Sequence, residues 1–113
     1  MRHHAIVVTS WNYELLEIAH SKAKEIFEQV APITPKTING YVSFLVAPDG
    51  SKEGWEYSDN GNKARSEFIS WLDSQRHDDG STSLHWVEIQ FADDDKETKI
   101  ISHSDKRYDN QNR

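Results

Sequence analysis

The sequence predicts an α+β fold of the two-layer sandwich type, in which two helices cover one face of a mixed four- to five-stranded sheet. Two segments repeat apolar residues at helical spacing, and short apolar or alternating runs typical of strands lie before, between and after them. The predicted order is strand, helix, two strands, helix, two strands. This is close to the ferredoxin-like (split βαβ) order with one added strand. At 113 residues, one domain is expected.

The first strand and the first helix are predicted at residues 4–8 and 13–30. The strand is a short run rich in β-branched residues. Ser10 and Asn12 are residue types that cap helix N-termini, and the helix that follows has one apolar face. Pro32 is expected to end it, since proline cannot continue a helix.

The second strand, predicted at residues 38–47, is apolar on both faces and favours an interior position. A variant layout therefore places it parallel to the first strand, joined by a right-handed crossover through the first helix. Pro-Asp-Gly-Ser at residues 48–51 suits a reverse turn, after which residues 52–57 pair back as an exposed edge strand. If that hairpin is wrong, residues 47–62 become an unusually long loop.

The second helix is predicted from about Asn60 to Arg76, with its apolar residues on one side. A strand follows at residues 84–91, in which apolar residues at 87, 89 and 91 alternate with polar ones, and Trp86 is expected to be only half covered. Residues 98–103 form a last, short strand. We expect a single domain over residues 1–103 and a flexible C-terminal tail over 104–113.

Charge and composition exclude several classes of function. The net charge is −6 and the 13 basic residues are scattered, which disfavours nucleic-acid binding. The absence of cysteine excludes disulfides, thiolate zinc sites, iron–sulfur clusters and cysteine nucleophiles. The apolar run near the N-terminus is too short for a membrane span or a signal sequence. A cytoplasmic protein without a membrane segment is expected.

Catalytic and metal-binding patterns are weak. The six histidines have no spacing typical of metal ligands, and His3 and His4 should point to opposite faces of a strand. Ser10 stands between a strand and a helix, as some nucleophiles do, but a helix cap is the more common reason for serine there. We therefore predict neither a metal nor a cofactor, and favour a non-enzymatic protein over an enzyme.

The aromatic residues of the predicted edge strand indicate a docking surface. Trp55 and Tyr57, with Lys52 beside them, would stand next to an unpaired strand edge, which suits binding to another protein or to a second copy of the chain. The alternative is that Trp55 folds inward and completes a small core, as large aromatic residues usually do. A protein-interaction domain is the leading functional interpretation.

A second interpretation places a small-ligand or nucleotide site at the junction of the first strand and the first helix. Ser10, Trp11 and Asn12 would form it, with His85 nearby if the strands are neighbours. A helix N-terminus holds anions, although this junction lacks the glycines of known phosphate-binding loops. In that case the protein could be an enzyme.

Four segments carry a resemblance to a known family: residues 3–11 (HHAIVVTSW), 39–41 (NGY), 48–55 (PDGSKEGW) and 86–90 (WVEIQ). They look like a family of small uncharacterised proteins from tailed phages and prophages, over roughly residues 3–103. The resemblance implies an accessory protein made in the bacterial cytoplasm during infection or from a prophage. The family has no assigned activity, so no functional residue is carried over.

Overall fold

The computed structural model describes residues 2–48, 56–92 and 97–105. Within these ranges the chain forms four strands and two helices, which confirms the α+β class. In chain order they are β1 (Arg2–Ser10), α1 (Tyr13–Ile26), β2 (Val42–Val46), α2 (Glu56–Asp73), β3 (His85–Ala92) and β4 (Lys99–His103). None of the helices in these ranges is long and apolar enough to cross a membrane.

The sheet is antiparallel throughout, with strand order β2-β1-β3-β4, so the prediction of a mixed sheet was wrong. β1 and β2 are neighbours, as the variant layout proposed, but they run in opposite directions, with Ser10 opposite Val42. The reason lies in residues 27–41. This segment returns the chain to the end of the sheet where β1 finishes, so β2 starts there. The ferredoxin-like layout is not confirmed, since its crossovers join parallel strands.

β2 stands at one end of the strand order, yet hydrogen bonds run along both of its edges. On the side away from β1, the Ala31 and Thr34 N–H groups donate to the carbonyls of Leu45 and Ser43, each at 2.9 Å. This extra pairing gives β2 a hydrogen-bonded neighbour on both sides, as an interior strand has. It also explains why α1 ends at Ile26 and not at residue 30, because the next residues are needed for pairing.

The core lies between the sheet and the two helices, which both pack on the same face of the sheet. Its buried apolar residues come from β1, β2, β3, α1 and α2, and from Leu84 directly before β3: Ile6, Val8, Leu16, Ala19, Ala23, Val42, Phe44, Val46, Phe68, Leu72, Leu84 and Trp86. Phe68 of α2 makes an edge-to-face contact with Phe27 at 5.6 Å between ring centroids and stacks on Trp71 at 6.3 Å. The contact with Phe27 joins α2 to the residue that follows α1.

The prediction of an edge strand over residues 52–57 was wrong for residues 56 and 57, the part of this range that the structure describes. Glu56 and Tyr57 belong to α2, which starts at Glu56 and not near Asn60. No β-branched residue occurs between Glu56 and Asn60, and extending an existing helix adds a hydrogen bond for each residue fixed. Lys52, Trp55 and most of the predicted turn at 48–51 lie outside the described residues.

From Val87 onward, β3 turns its polar residues toward the helices and its apolar residues away from them, whereas Trp86 packs in the core. Trp86 is 6% exposed and Gln90 5% exposed on the helix-covered face, so the prediction of a half-covered Trp86 was wrong. Val87, Ile89 and Phe91 lie on the opposite face. Ser104, which the sequence analysis assigned to the flexible tail, is buried and exchanges two backbone-directed hydrogen bonds with Trp86.

Candidate functional site

The predicted interaction residues Lys52, Trp55 and Tyr57 no longer share a strand. The backbone of Tyr57 lies in the first turn of α2, and Lys52 and Trp55 lie outside the described residues. Their assignment to a binding surface stays a prediction. That prediction was based on an edge strand, and where the structure describes this segment it is helical.

The predicted ligand residues Ser10 and Asn12 lie together, and each is engaged in local structure. The Asn12 side-chain oxygen accepts from the Leu15 N–H at 3.1 Å, which confirms Asn12 as the N-cap of α1. Ser10 is fully buried. Its hydroxyl donates to the Ser83 carbonyl at 2.6 Å and accepts from the Asn12 N–H at 2.9 Å. Ser10 thus joins the end of β1 to the start of α1 and to the approach to β3.

We expect Asn12→Ala to lower the free energy of unfolding by about 1 kcal/mol, since it removes a helix cap. Asn12→Asp is the matched control, because aspartate accepts the same hydrogen bond and also suits the positive end of the helix. Urea denaturation followed by circular dichroism measures both. Equal stability of the alanine and aspartate variants would contradict the capping role.

The other two predicted ligand residues point elsewhere. Trp11 is 56% exposed, and His85 pairs with Thr9, so its side chain lies on the sheet face opposite to that of Ser10. The structure therefore brings Ser10 and Asn12 together but not with His85. No group of three or more potential metal ligands occurs in the described part of the chain.

The turn between α2 and β3 contains a serine–histidine pair that the sequence analysis missed. His77 Nε2 lies 2.9 Å from the Ser83 hydroxyl. A nucleophile and its base need access to substrate and a third group that orients the base. Ser83 is buried, and the Asp79 carboxylate accepts from both the hydroxyl and the N–H of Ser81. Those bonds hold the pKa of Asp79 below its usual value. The cluster stabilises the turn.

A different surface is exposed on the sheet face away from the helices, which we call the open face. Strand alternation and register place twelve described side chains on it: His3, Ala5, Val7, Thr9, Ser43, Leu45, His85, Val87, Ile89, Phe91, Ile100 and His103. None is Asp, Glu, Lys or Arg. With 28% of the chain charged, about three charged residues would be expected among twelve positions.

The open face also exposes large apolar side chains. Leu45, Phe91 and Ile100 are 41%, 45% and 60% exposed, and Val7, Val87 and Ile89 fill the space between them. The sequence contained the signal for this surface in the apolar alternation of residues 87, 89 and 91. The sequence did not show that the helices cover the opposite face of the sheet.

A cluster of polar residues lies under α2, on the helix-covered face. Glu88 accepts a hydrogen bond from Ser102 at 3.1 Å, lies 2.9 Å from His4 Nδ1 and 3.8 Å from Arg65 Nε. The side chains of His4, Arg65 and Glu88 are only 17%, 13% and 12% exposed. His4 and Glu88 lie 84 positions apart in the chain, so only the folded sheet brings them together.

Comparisons with models of known protein families, with curated proteins and with solved structures found no match to this chain.

Proposed function

We propose that this protein is a non-enzymatic protein-interaction domain, and that its partner on the open face is a second copy of the same chain. The observation that carries the proposal is the open face itself, an exposed apolar surface without a carboxylate, ammonium or guanidinium group among its described side chains. Charged residues are depleted in the buried centres of protein interfaces, and large apolar residues accumulate there.

The distribution of charge supports self-association in particular. Two copies that each carry a net charge of −6 repel one another, and a contact surface without fixed charge adds no close pair of like charges to that repulsion. β3 places Glu88 and Gln90 beneath the helices and leaves Val87, Ile89 and Phe91 outside. If the open face were to remain in water, the opposite arrangement would be favoured, with Glu88 and Gln90 outside and the three apolar residues beneath the helices. Two such faces would stack as a β-sandwich, with the sheets about 10 Å apart.

The size of the open face sets the expected strength of the dimer. Four strands about 4.8 Å apart and roughly 20 Å long present on the order of 400 Å² of flat area. Counted over both copies this is about 800 Å², below the roughly 1,200–2,000 Å² of stable specific interfaces, so the complex is expected to be weak and transient. We therefore expect a reversible dimer with a dissociation constant on the order of micromolar, which corresponds to about −8 kcal/mol.

Val87→Lys is the variant that tests this interface. Val87 lies between Val7 and His103 on the open face, so a lysine there would place a charge in the middle of the contact of both copies. We expect the dimer to weaken at least about tenfold, because an unpaired charge would have to lose its water. Sedimentation velocity over a micromolar dilution series measures the change, and circular dichroism checks the fold.

Ile18→Lys is the matched control. Ile18 is an aliphatic residue of α1, 55% exposed and away from the open face. Like Val87→Lys, the Ile18→Lys variant replaces a branched aliphatic side chain with lysine and adds one positive charge. It should dimerise as the unmodified protein does. A protein that stays monomeric throughout the series would overturn the second copy as partner. Equal weakening by both variants would overturn the open face as the interface.

The biological setting in this proposal is that of a phage or prophage accessory protein in the bacterial cytoplasm. It rests on the resemblance of the four sequence segments alone. The neighbouring genes provide the test. Genes for phage structure, lysis or escape from host defence beside this gene would support the setting, and a conserved metabolic operon would contradict it.

A further inference from the structure

Asn39 and Gly40 lie at the tip of a hairpin, where the chain turns from the segment that borders β2 into β2 itself. Two main-chain hydrogen bonds close the turn. The Gly40 N–H donates to the Thr37 carbonyl at 2.9 Å, and the Thr37 N–H donates to the Tyr41 carbonyl at 3.0 Å. Asn39 is exposed, and Ile38 beside it is fully exposed. The tip is therefore held by backbone hydrogen bonds and not by packing.

The two residue types at the tip allow the chain to modify itself. The main-chain nitrogen of Gly40 can attack the side-chain Cγ of Asn39, because glycine has no Cβ to hinder the approach. A bond from that nitrogen to Cγ forms and the bond from Cγ to the amide nitrogen breaks. The proton lost by the Gly40 nitrogen leaves with the amide group as ammonia. Water then opens the cyclic imide at one of its two carbonyls, which gives aspartate or isoaspartate; asparagine is accordingly counted among the thermolabile residues.

The chain contains the same pair of residues a second time, as Asn60 and Gly61, in a different backbone. Asn60 is exposed too, so exposure does not separate the two sites. Gly61 is the sixth residue of α2, and its N–H has a carbonyl acceptor one helical turn earlier. Freeing that nitrogen means opening several consecutive helical hydrogen bonds, because helix formation is cooperative. At the hairpin tip, breaking the bond from Gly40 to Thr37 is enough, and exposed loops open at a low cost in free energy.

From this comparison we infer that Asn39 is a site of spontaneous deamidation in the folded protein, and that it reacts faster than Asn60. Gly40 has a φ of +81°, and the space around its α-carbon is open: a Cβ there would meet no atom of the described residues within 4 Å, chain neighbours apart. Nothing packed against the tip therefore opposes closure of the imide ring. Both products add one negative charge to the chain, and aspartate is itself an ordinary turn residue.

Isoaspartate at position 39 would loosen the border of β2. It adds one methylene group to the main chain inside the closed turn, so the bond between Thr37 and Tyr41 cannot keep its geometry. The same hairpin holds the Ala31 and Thr34 N–H groups against the carbonyls of β2. Their amide hydrogens should exchange about tenfold faster or more in the isoaspartate form, and at the unmodified rate in the aspartate form. Amide exchange of the separated forms measures this.

Ageing of the full chain in mildly alkaline buffer, followed by tryptic digestion and mass spectrometry, tests the inference. Cleavage after Lys36, Lys52 and Lys63 puts Asn39 and Asn60 on separate peptides, and fragment ions identify the modified residue. In the folded protein we expect Asn39 to deamidate about tenfold faster than Asn60, or more. In concentrated urea the two rates should approach one another, because neither glycine nitrogen is then held by a folded backbone.

Asn39→Gln and Asn60→Gln are the matched variants. Glutamine would have to close a larger ring, so Asn39→Gln should remove the faster reaction and Asn60→Gln should leave it unchanged. An Asn39 that stays intact in the folded protein while the urea sample reacts would overturn the inference, and so would equal rates at the two sites in buffer. A rate ratio that is the same in buffer and in urea would overturn the role given to the turn, since local sequence alone would then set the difference.

Discussion

Replacing Phe68 with alanine is expected to lower the free energy of unfolding by about 3–5 kcal/mol. Phe68 is fully buried, and its ring contacts both Phe27 and Trp71. Its loss removes the ring contact between α2 and Phe27 and leaves a cavity that the neighbouring side chains are expected to fill only in part. Since small domains are stable by about 5–15 kcal/mol, the variant should be close to unfolding at ordinary temperature.

Phe91→Ala makes the same chemical change on the open face, where Phe91 is 45% exposed. Its cost to the monomer should stay below about 1 kcal/mol, as is usual for surface positions. Urea denaturation monitored by tryptophan fluorescence measures both variants, at a protein concentration low enough to keep the chain monomeric. Similar losses from the two variants would mean that the helices do not cover the face assigned to them.

The second large effect is expected at Ser10. Replacing it with alanine should cost about 1–3 kcal/mol, because the Ser83 carbonyl and the Asn12 N–H would lose a buried partner. The fully buried Ser10 hydroxyl connects three parts of the chain through two hydrogen bonds. Stability, and not ligand affinity, is therefore the property that this serine should control.

Ser21→Ala is the control for Ser10→Ala. Ser21 is exposed on α1, where alanine is a slightly better helix former, and the change should stay within about 0.5 kcal/mol. Thermal and urea unfolding of both variants give the comparison. If Ser10→Ala kept full stability, its hydroxyl would be free for another role, and the ligand site first predicted at this junction would again be favoured.

Local features of this protein were predictable because neighbouring residues determine them. The apolar spacing of α1 predicts its covered face, and Leu16, Ala19 and Ala23 are indeed buried. Asn12 caps the helix as its residue type suggests. The alternation of β3 likewise shows which side chains share a face. Each of these depends on contacts within a few positions along the chain.

The candidate surfaces depend on contacts between distant residues, which no local pattern contains. Alternation in β3 separates Glu88 from Val87 but does not say which of the two faces the helices will cover. That choice is made when α1 and α2 pack on the side of Trp86 and Leu84, which leaves Val87, Ile89 and Phe91 outside. The same packing brings His4, Arg65 and Glu88 to one cavity.

By itself, then, the sequence determined the α+β class, the approximate positions of the two helices and of the four described strands, two candidates for the cap of α1, and the absence of any cysteine chemistry. Only the tertiary structure decided the direction of β2, the helical conformation of Glu56 and Tyr57, and which sheet face stays uncovered. The physical reason is that side-chain periodicity is set by backbone geometry within one element, whereas strand direction and face coverage depend on how separate elements bury their apolar surfaces against one another.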